Sequence, residues 1–180
     1  MPTVAAPVTL DRVKTRPSDN PLLAELRWVH DMLRADLATI RRLADDAAGG
    51  APAGQIQAGL DRMKTRGPLF QLRVNCLSYC QFVHHHHQNE DVLLFPAVRR
   101  SAPHLAETVD KLEADHRIVS GLLDEVEAAA RGLGGDDAPI RQKLVAALQT
   151  LSDHLLAHLA FEEERLAPVL ATWKRWPFNG

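Results

Sequence analysis

A chain of 180 residues fits one domain, since a core of that size already buries about 70% of the unfolded surface. Its 46% hydrophobic and 24% charged residues are ordinary for a globular protein, and a formal net charge of -2 excludes broad attraction to phosphate backbones or anionic surfaces. Neither nucleic acid nor membrane is therefore an expected partner: no stretch approaches ~18 consecutive apolar residues, and MPTVAAPVTLDRVKTRP lacks the apolar core of a secretory signal, so a cytoplasmic location is expected.

Residues 1–19 show no periodicity and carry three prolines, the mark of a loose N-terminal arm. The first helix starts at Asn20-Pro21, a cap followed by a proline whose missing N–H is harmless there. Its apolar stripe runs Leu23, Leu26, Leu33, Leu37, Ile40, with His30 filling the gap, and ends near Gly49-Gly50. After the linker AGGAPAGQ comes a short amphipathic stretch, Ile56 to Met63, and a break at Gly67-Pro68. The second long helix begins there, with the stripe Leu72, Cys76, Tyr79, Val83, His86, Glu90, Leu94 and a last turn approaching Pro96.

Cys76 and Cys80 are the only cysteines, and four residues apart in one helical pattern they are expected to be reduced thiols beside the core. Nine histidines, four of them consecutive, are the one compositional oddity. A tag remnant would sit at a terminus, whereas this run lies inside a periodic helix.

The third helix, from near Pro103, reads Leu105, Val109, Leu112, His116, Val119, Leu123, Val126, Ala130, Leu133 at alternating steps of four and three, a bundle seam. Gly132, Gly134 and Gly135 end it. Asp137 and Pro139 open the fourth, with the stripe Leu144, Leu148, Leu151, Leu155, His158, Glu162, Leu166, Val169. Val92 to Phe95 is the one strand-like stretch and is too short for a sheet.

The expected fold is all-α, an up-down-up-down antiparallel four-helix bundle over residues 20–173, with the arm before it, a short extra helix before the second long one, and a tail at 174–180. Trp173, Trp176 and Phe178 near that tail either cap the bundle or join two subunits, so a monomer and a homodimer both remain open.

In such a bundle the starts of helices one and three meet the ends of helices two and four at one pole. With ends near Pro21, Arg99, Pro103 and Ala171, His30, Glu90 and Glu162 each lie nine residues in, and His86, His116 and His158 each lie thirteen in. At ~1.5 Å rise per residue all six fall roughly 14 to 20 Å below the pole, within about one turn. Each interrupts an apolar stripe, so the fold buries two carboxylates and four imidazoles together, with no Lys or Arg on the stripes at that level. Unpaired, a buried carboxylate costs several kcal/mol. Divalent cations supply the missing charge, and imidazole with carboxylate suits non-haem iron. The pairs His86-x3-Glu90 and His158-x3-Glu162 can chelate one ion or span two.

At this point the sequence resembles the hemerythrin-like HHE domains, whose signature is a His, a His-x3-Glu, a His and a second His-x3-Glu on four successive helices. The resemblance spans about Asn20 to Trp173 and is carried by HHHHQNEDVLLFPAV, EADHR and HLAFEEERLAP. It implies a pair of non-haem iron ions, bridged by carboxylate and by oxo or hydroxo oxygen, that binds O2, NO or peroxide. Oxygen-carrying hemerythrins proper use a His-x3-His pair on the third helix and an aspartate on the fourth; this chain has neither, so reversible O2 carriage does not carry over. His154, one turn before His158, is the candidate for a fifth histidine.

The metal set expected is thus His30, His86, Glu90, His116, His158 and Glu162. The pair His87 and Asp91, offset by ~100°, is the alternative to His86 and Glu90 if the stripe is rotated. His84, His85 and His104 read as solvated, Asp31, Glu163 and Glu164 as polar-face residues or outer partners, and Tyr79 as packing. Neutral imidazoles outnumbering carboxylates favour Fe(II) and peroxide-level chemistry. A small-molecule binding protein for sensing, buffering or iron handling is the leading functional expectation. The alternatives are a diiron enzyme, which decomposes peroxide, reduces NO or oxidises a small organic substrate, and a purely structural bundle.

Overall fold

The computed structural model describes residues 20–50, 68–133 and 138–178. The expected arm, the short helix at Ile56 to Met63 and the glycine and aspartate signals at 134–137 lie outside the described residues.

The described residues form four long helical rods: α1 (Pro21–Ala48), α2 (Pro68–Asn89) with its continuation, α4 (Ala106–Arg131) and α5 (Ala138–Leu170). Among the described residues there is no strand, and Val92 to Phe95 is helical. α1 packs on α2 and α5, and α4 packs on the same two, which is the antiparallel up-down-up-down order.

Asn20 starts α1 as a cap: its Oδ1 accepts from the N–H groups of Leu22 and Leu23 at 2.9 and 3.0 Å, with Pro21 in the first turn. Its Nδ2 also donates to the carbonyl of Leu170 at 3.0 Å, tying the start of α1 to the end of α5. α1 ends at Gly49, and Gly50 follows at φ 70°, a left-handed conformation that glycine adopts freely.

The second rod does not stop near Pro96. Glu90–Leu94 forms a π turn, in which the N–H of Phe95 reaches the carbonyl of Glu90, and α3 (Phe95–Ser101) continues the rod. Pro96 lacks an N–H, and its ring would collide with the carbonyl of Val92 in a regular α-helix; widening the turn relieves that conflict. The extra residue rotates the remainder of the rod, so Phe95 and Val98 become fully buried beside Leu94. A 3₁₀ turn, Pro103–Leu105, then leads into α4.

The predicted stripes point inward, and the core they make falls into two parts. One cluster joins Leu23 and Leu26 to Leu94, Phe95, Val98, Val109, Leu112, Leu166 and Leu170 near the Asn20 pole. The other runs from Leu33 through Cys76, Val83, Val119, Leu123, Leu148 and Leu155 towards the opposite pole. His30, His86, His87, His116 and His158 lie with Glu90 and Glu162 in the layer between them. Trp173 and Trp176, beyond α5, pack against the first cluster.

α5 is long and apolar enough, by length and composition alone, to cross a membrane, yet its stripe is core and carries two inner polar residues.

Candidate metal centre

α2 faces two neighbours, and this explains how adjacent histidines on one helix both turn inward. His86 leans towards α1, its ring 5.2 Å from that of His30. His87 leans towards α4, stacking on His116 with ring centroids 3.9 Å apart. Glu90, one turn later at the start of the π turn, sits between: its Oε1 is 3.2 Å from His86 Nε2 and 3.9 Å from His30 Nε2, while its Oε2 is 3.5 Å from His116 Nε2. Glu162 Oε2 in turn lies 3.5 Å from His30 Nε2 and 3.8 Å from His158 Nε2. Among the described residues the donor atoms gather in two groups, His30 with His86 and Glu90, and His87 with Glu90, His116 and His158, each within 4.8 Å.

Outer carboxylates set the direction of the rings. His30 Nδ1 is 2.9 Å from Glu163 Oε1, which also accepts from Arg34 at 2.9 Å, and His116 Nδ1 is 2.8 Å from Asp91 Oδ1. Asp115 Oδ2 stands 3.8 Å from His158 Nδ1. At His30 and His116, where the carboxylate is within hydrogen-bond distance, it holds the proton on Nδ1 and leaves the inner Nε2 as a lone pair. The Nε2 atoms of His116 and His158 meet at 3.1 Å, and His30 Nε2 looks at two carboxylates. The Nε2 atoms of His30, His86 and His87, the Nδ1 of His158 and all four oxygens of Glu90 and Glu162 are buried with no hydrogen-bond partner, an arrangement that a cation among them would satisfy.

Burial sets the charges. Loss of hydration lowers His30 and His86 to about 3, His116 to about 2 and His158 to about 4, and pushes His87 far down as well. These imidazoles are neutral, the form that ligates metal. The same desolvation raises Glu162 to about 8 and Glu90 well above the usual carboxylate range, with Glu162 beside it adding like charge. The residues present fit a divalent metal centre: it satisfies the orphaned donors and returns the glutamates to their ionised form.

All six residues of the expected set stand in this layer. His87 joins them rather than replacing His86, so the fifth inner histidine comes from the second rod. Its expected partner Asp91 separates from it and bonds His116, with its side chain 41% exposed and its carboxyl raised to about 6, mainly by desolvation. His154 is exposed and belongs to neither group. Asp115 was missed, because its role depends on α5 lying opposite and nothing within EADHR announces it. His85 and His104 are exposed, and His84 lies 3.9 Å from Asp124. Cys76 and Cys80 are fully buried with thiols pushed up to about 12 by desolvation, which makes them inert core residues, and Tyr79 is buried with its hydroxyl donating to the Leu33 carbonyl at 3.3 Å.

Among the described residues, openings reach the layer from several sides. A cavity of about 360 Å³ between α1 and the second rod ends on His86 and Glu90. Polar clefts of about 320 and 300 Å³ reach His87 with His116, beside Arg117, and His158, beside Lys111. A further cavity of about 590 Å³ lies between α4 and α5 at residues 125–150, near the opposite pole.

The family model for the hemerythrin HHE cation binding domain matches residues 21–170. No curated protein and no solved structure matches the chain.

Proposed function

Because the chain belongs to the hemerythrin HHE cation-binding family, we propose that its inner layer holds two iron ions and binds O2, NO or peroxide, in the service of sensing, buffering or iron handling. The observation that carries this reading is that Glu90 is common to both donor groups, with one oxygen turned to each. His30 and His86 would hold one ion, and His87, His116 and His158 the other, with Glu90 and Glu162 reaching both. Imidazole and carboxylate donors together suit non-haem iron. Bound there, the iron pair supplies redox-active sites for a diatomic ligand or peroxide.

The chain's own residues do the rest. Glu163 and Asp91 orient the rings of His30 and His116, and the two apolar clusters close the layer on either side along the bundle. The first donor group has fewer protein donors than the second, and it is the one that faces the 360 Å³ cavity, which favours ligand entry on that side. The size of that cavity favours a second reading, a diiron enzyme acting on a small organic molecule.

Ferrous reconstitution under argon, followed by metal counting and the visible spectrum on admitting and withdrawing O2, tests both. Two irons per chain and a reversible spectral change support the binding protein. Two irons with multiple turnovers of an added substrate support the enzyme. Fewer than two irons, or equal retention of zinc with no response to O2, overturns the proposal.

A further inference from the structure

The cavity between α1 and the second rod is far larger than a diatomic ligand needs. At about 360 Å³ it falls in the lower range of small-molecule sites, roughly 300–1,000 Å³. Its walls are Leu26 and Val29 from α1, Leu93 and Leu94 from the π turn, and Trp176 and Phe178 from the chain beyond α5. Its floor is His86 and Glu90, whose buried Nε2 and carboxylate oxygens have no hydrogen-bond partner.

The aromatic wall is built in place. Trp176 stacks on Phe178 with ring centroids 5.4 Å apart and meets Trp173 edge-on at 6.3 Å. The indole Nε1 of Trp176 donates to Glu25 Oε2 at 2.8 Å, pinning the tail across the mouth of the cavity to α1. None of the residues lining the cavity is Lys or Arg, so its walls offer an anion no counter-charge.

We propose that this cavity is a binding site for a neutral organic molecule of about one aromatic ring, its apolar body against Val29, Leu93 and Trp176 and its single oxygen donor towards His86 and Glu90. Only the last element, what the donor end meets, rests on the diiron reading; the apolar chamber belongs to the protein with or without metal. Trp176 and Val29 are then the residues that set ligand size.

Phenol is the probe, titrated by calorimetry into the full chain, metal-free and again after ferrous loading. One phenol per chain is expected in both forms. Val29→Phe, which fills the chamber from inside, and Leu93→Trp, which fills it from a position already 40% exposed and therefore tolerant, should each weaken phenol at least tenfold with the iron count unchanged. Circular dichroism confirms that each variant is folded. Absence of phenol binding, or binding that both folded variants retain at full strength, overturns the site. Loss of iron from the unaltered chain overturns the diiron reading instead and leaves the metal-free titration to decide the cavity.

Discussion

His116 shows how one residue is held from both sides. Asp91 fixes its Nδ1 at 2.8 Å, His87 covers one face of the ring, and Phe95 stacks at 5.2 Å. The Nε2 lone pair is thereby aimed before any ion arrives, so the outer carboxylate contributes affinity without touching metal. Asp91→Ala should therefore weaken metal about 10–100-fold, read by competition with a chelator, while leaving two ions bound at saturation. His116→Ala removes a donor outright, and bound iron should fall below two per chain by metal counting. Retention of two irons in the latter would remove His116 from the set. The inner residues on the seams were legible in the sequence for a simple reason: a His or Glu in a leucine stripe has nowhere to go but the core. His87 was harder to place, because its inward direction depends on α2 having α4 on one side and α1 on the other, which periodicity along a single helix cannot express.

At the scale of the element, the π turn decides where the second rod's last residues point. Val92 lies on its outer side, 64% exposed. Deleting Val92 would convert the turn to regular α-helix, which keeps Phe95 and Val98 facing the core but returns the ring of Pro96 to a collision with the carbonyl four residues before it. A proline inside a regular helix costs about 3 kcal/mol, so a fall in thermal midpoint on the order of 10 °C is expected, against less than about 0.5 kcal/mol for Val92→Ala at the same place. A deletion as mild as the substitution would show that the widened turn has no structural role. Asn20→Ala offers a second measure: it removes the α1 cap and the bond to Leu170 together, and about 1–2 kcal/mol should be lost in denaturant unfolding. Helix starts of this kind were readable from Asn20-Pro21. The passage of the rod beyond Pro96 was not, since a proline in a helical pattern normally marks an end, and only the surroundings of Phe95 reveal that widening the turn is favoured over stopping.

For the whole molecule, a polar layer between two apolar clusters makes the metal-free protein sensitive to pH from both directions. The buried histidines have folded values of about 2 to 4 against 6.5 unfolded, so the stability they permit is present above 6.5 and is lost as pH falls towards those values. Glu162 runs the other way: raised from 4.5 to about 8, it holds its proton more tightly when folded, and stability is lost as pH rises through 8. The imidazoles outnumber the carboxylates, so metal-free stability should climb with pH to about 6.5–7 and decline beyond it, a dome that denaturant unfolding at several pH values would trace. Metal reverses the glutamate side, because a ligating carboxylate is ionised. Uptake of ferrous iron at pH 7 should then release up to about two protons per chain into weakly buffered solution, and apparent affinity should rise with pH until about 8 and level off. Uptake with no proton release would mean that Glu90 and Glu162 are ionised before metal arrives. In that case the layer would need another source of positive charge, and the reason for placing cations there would be lost.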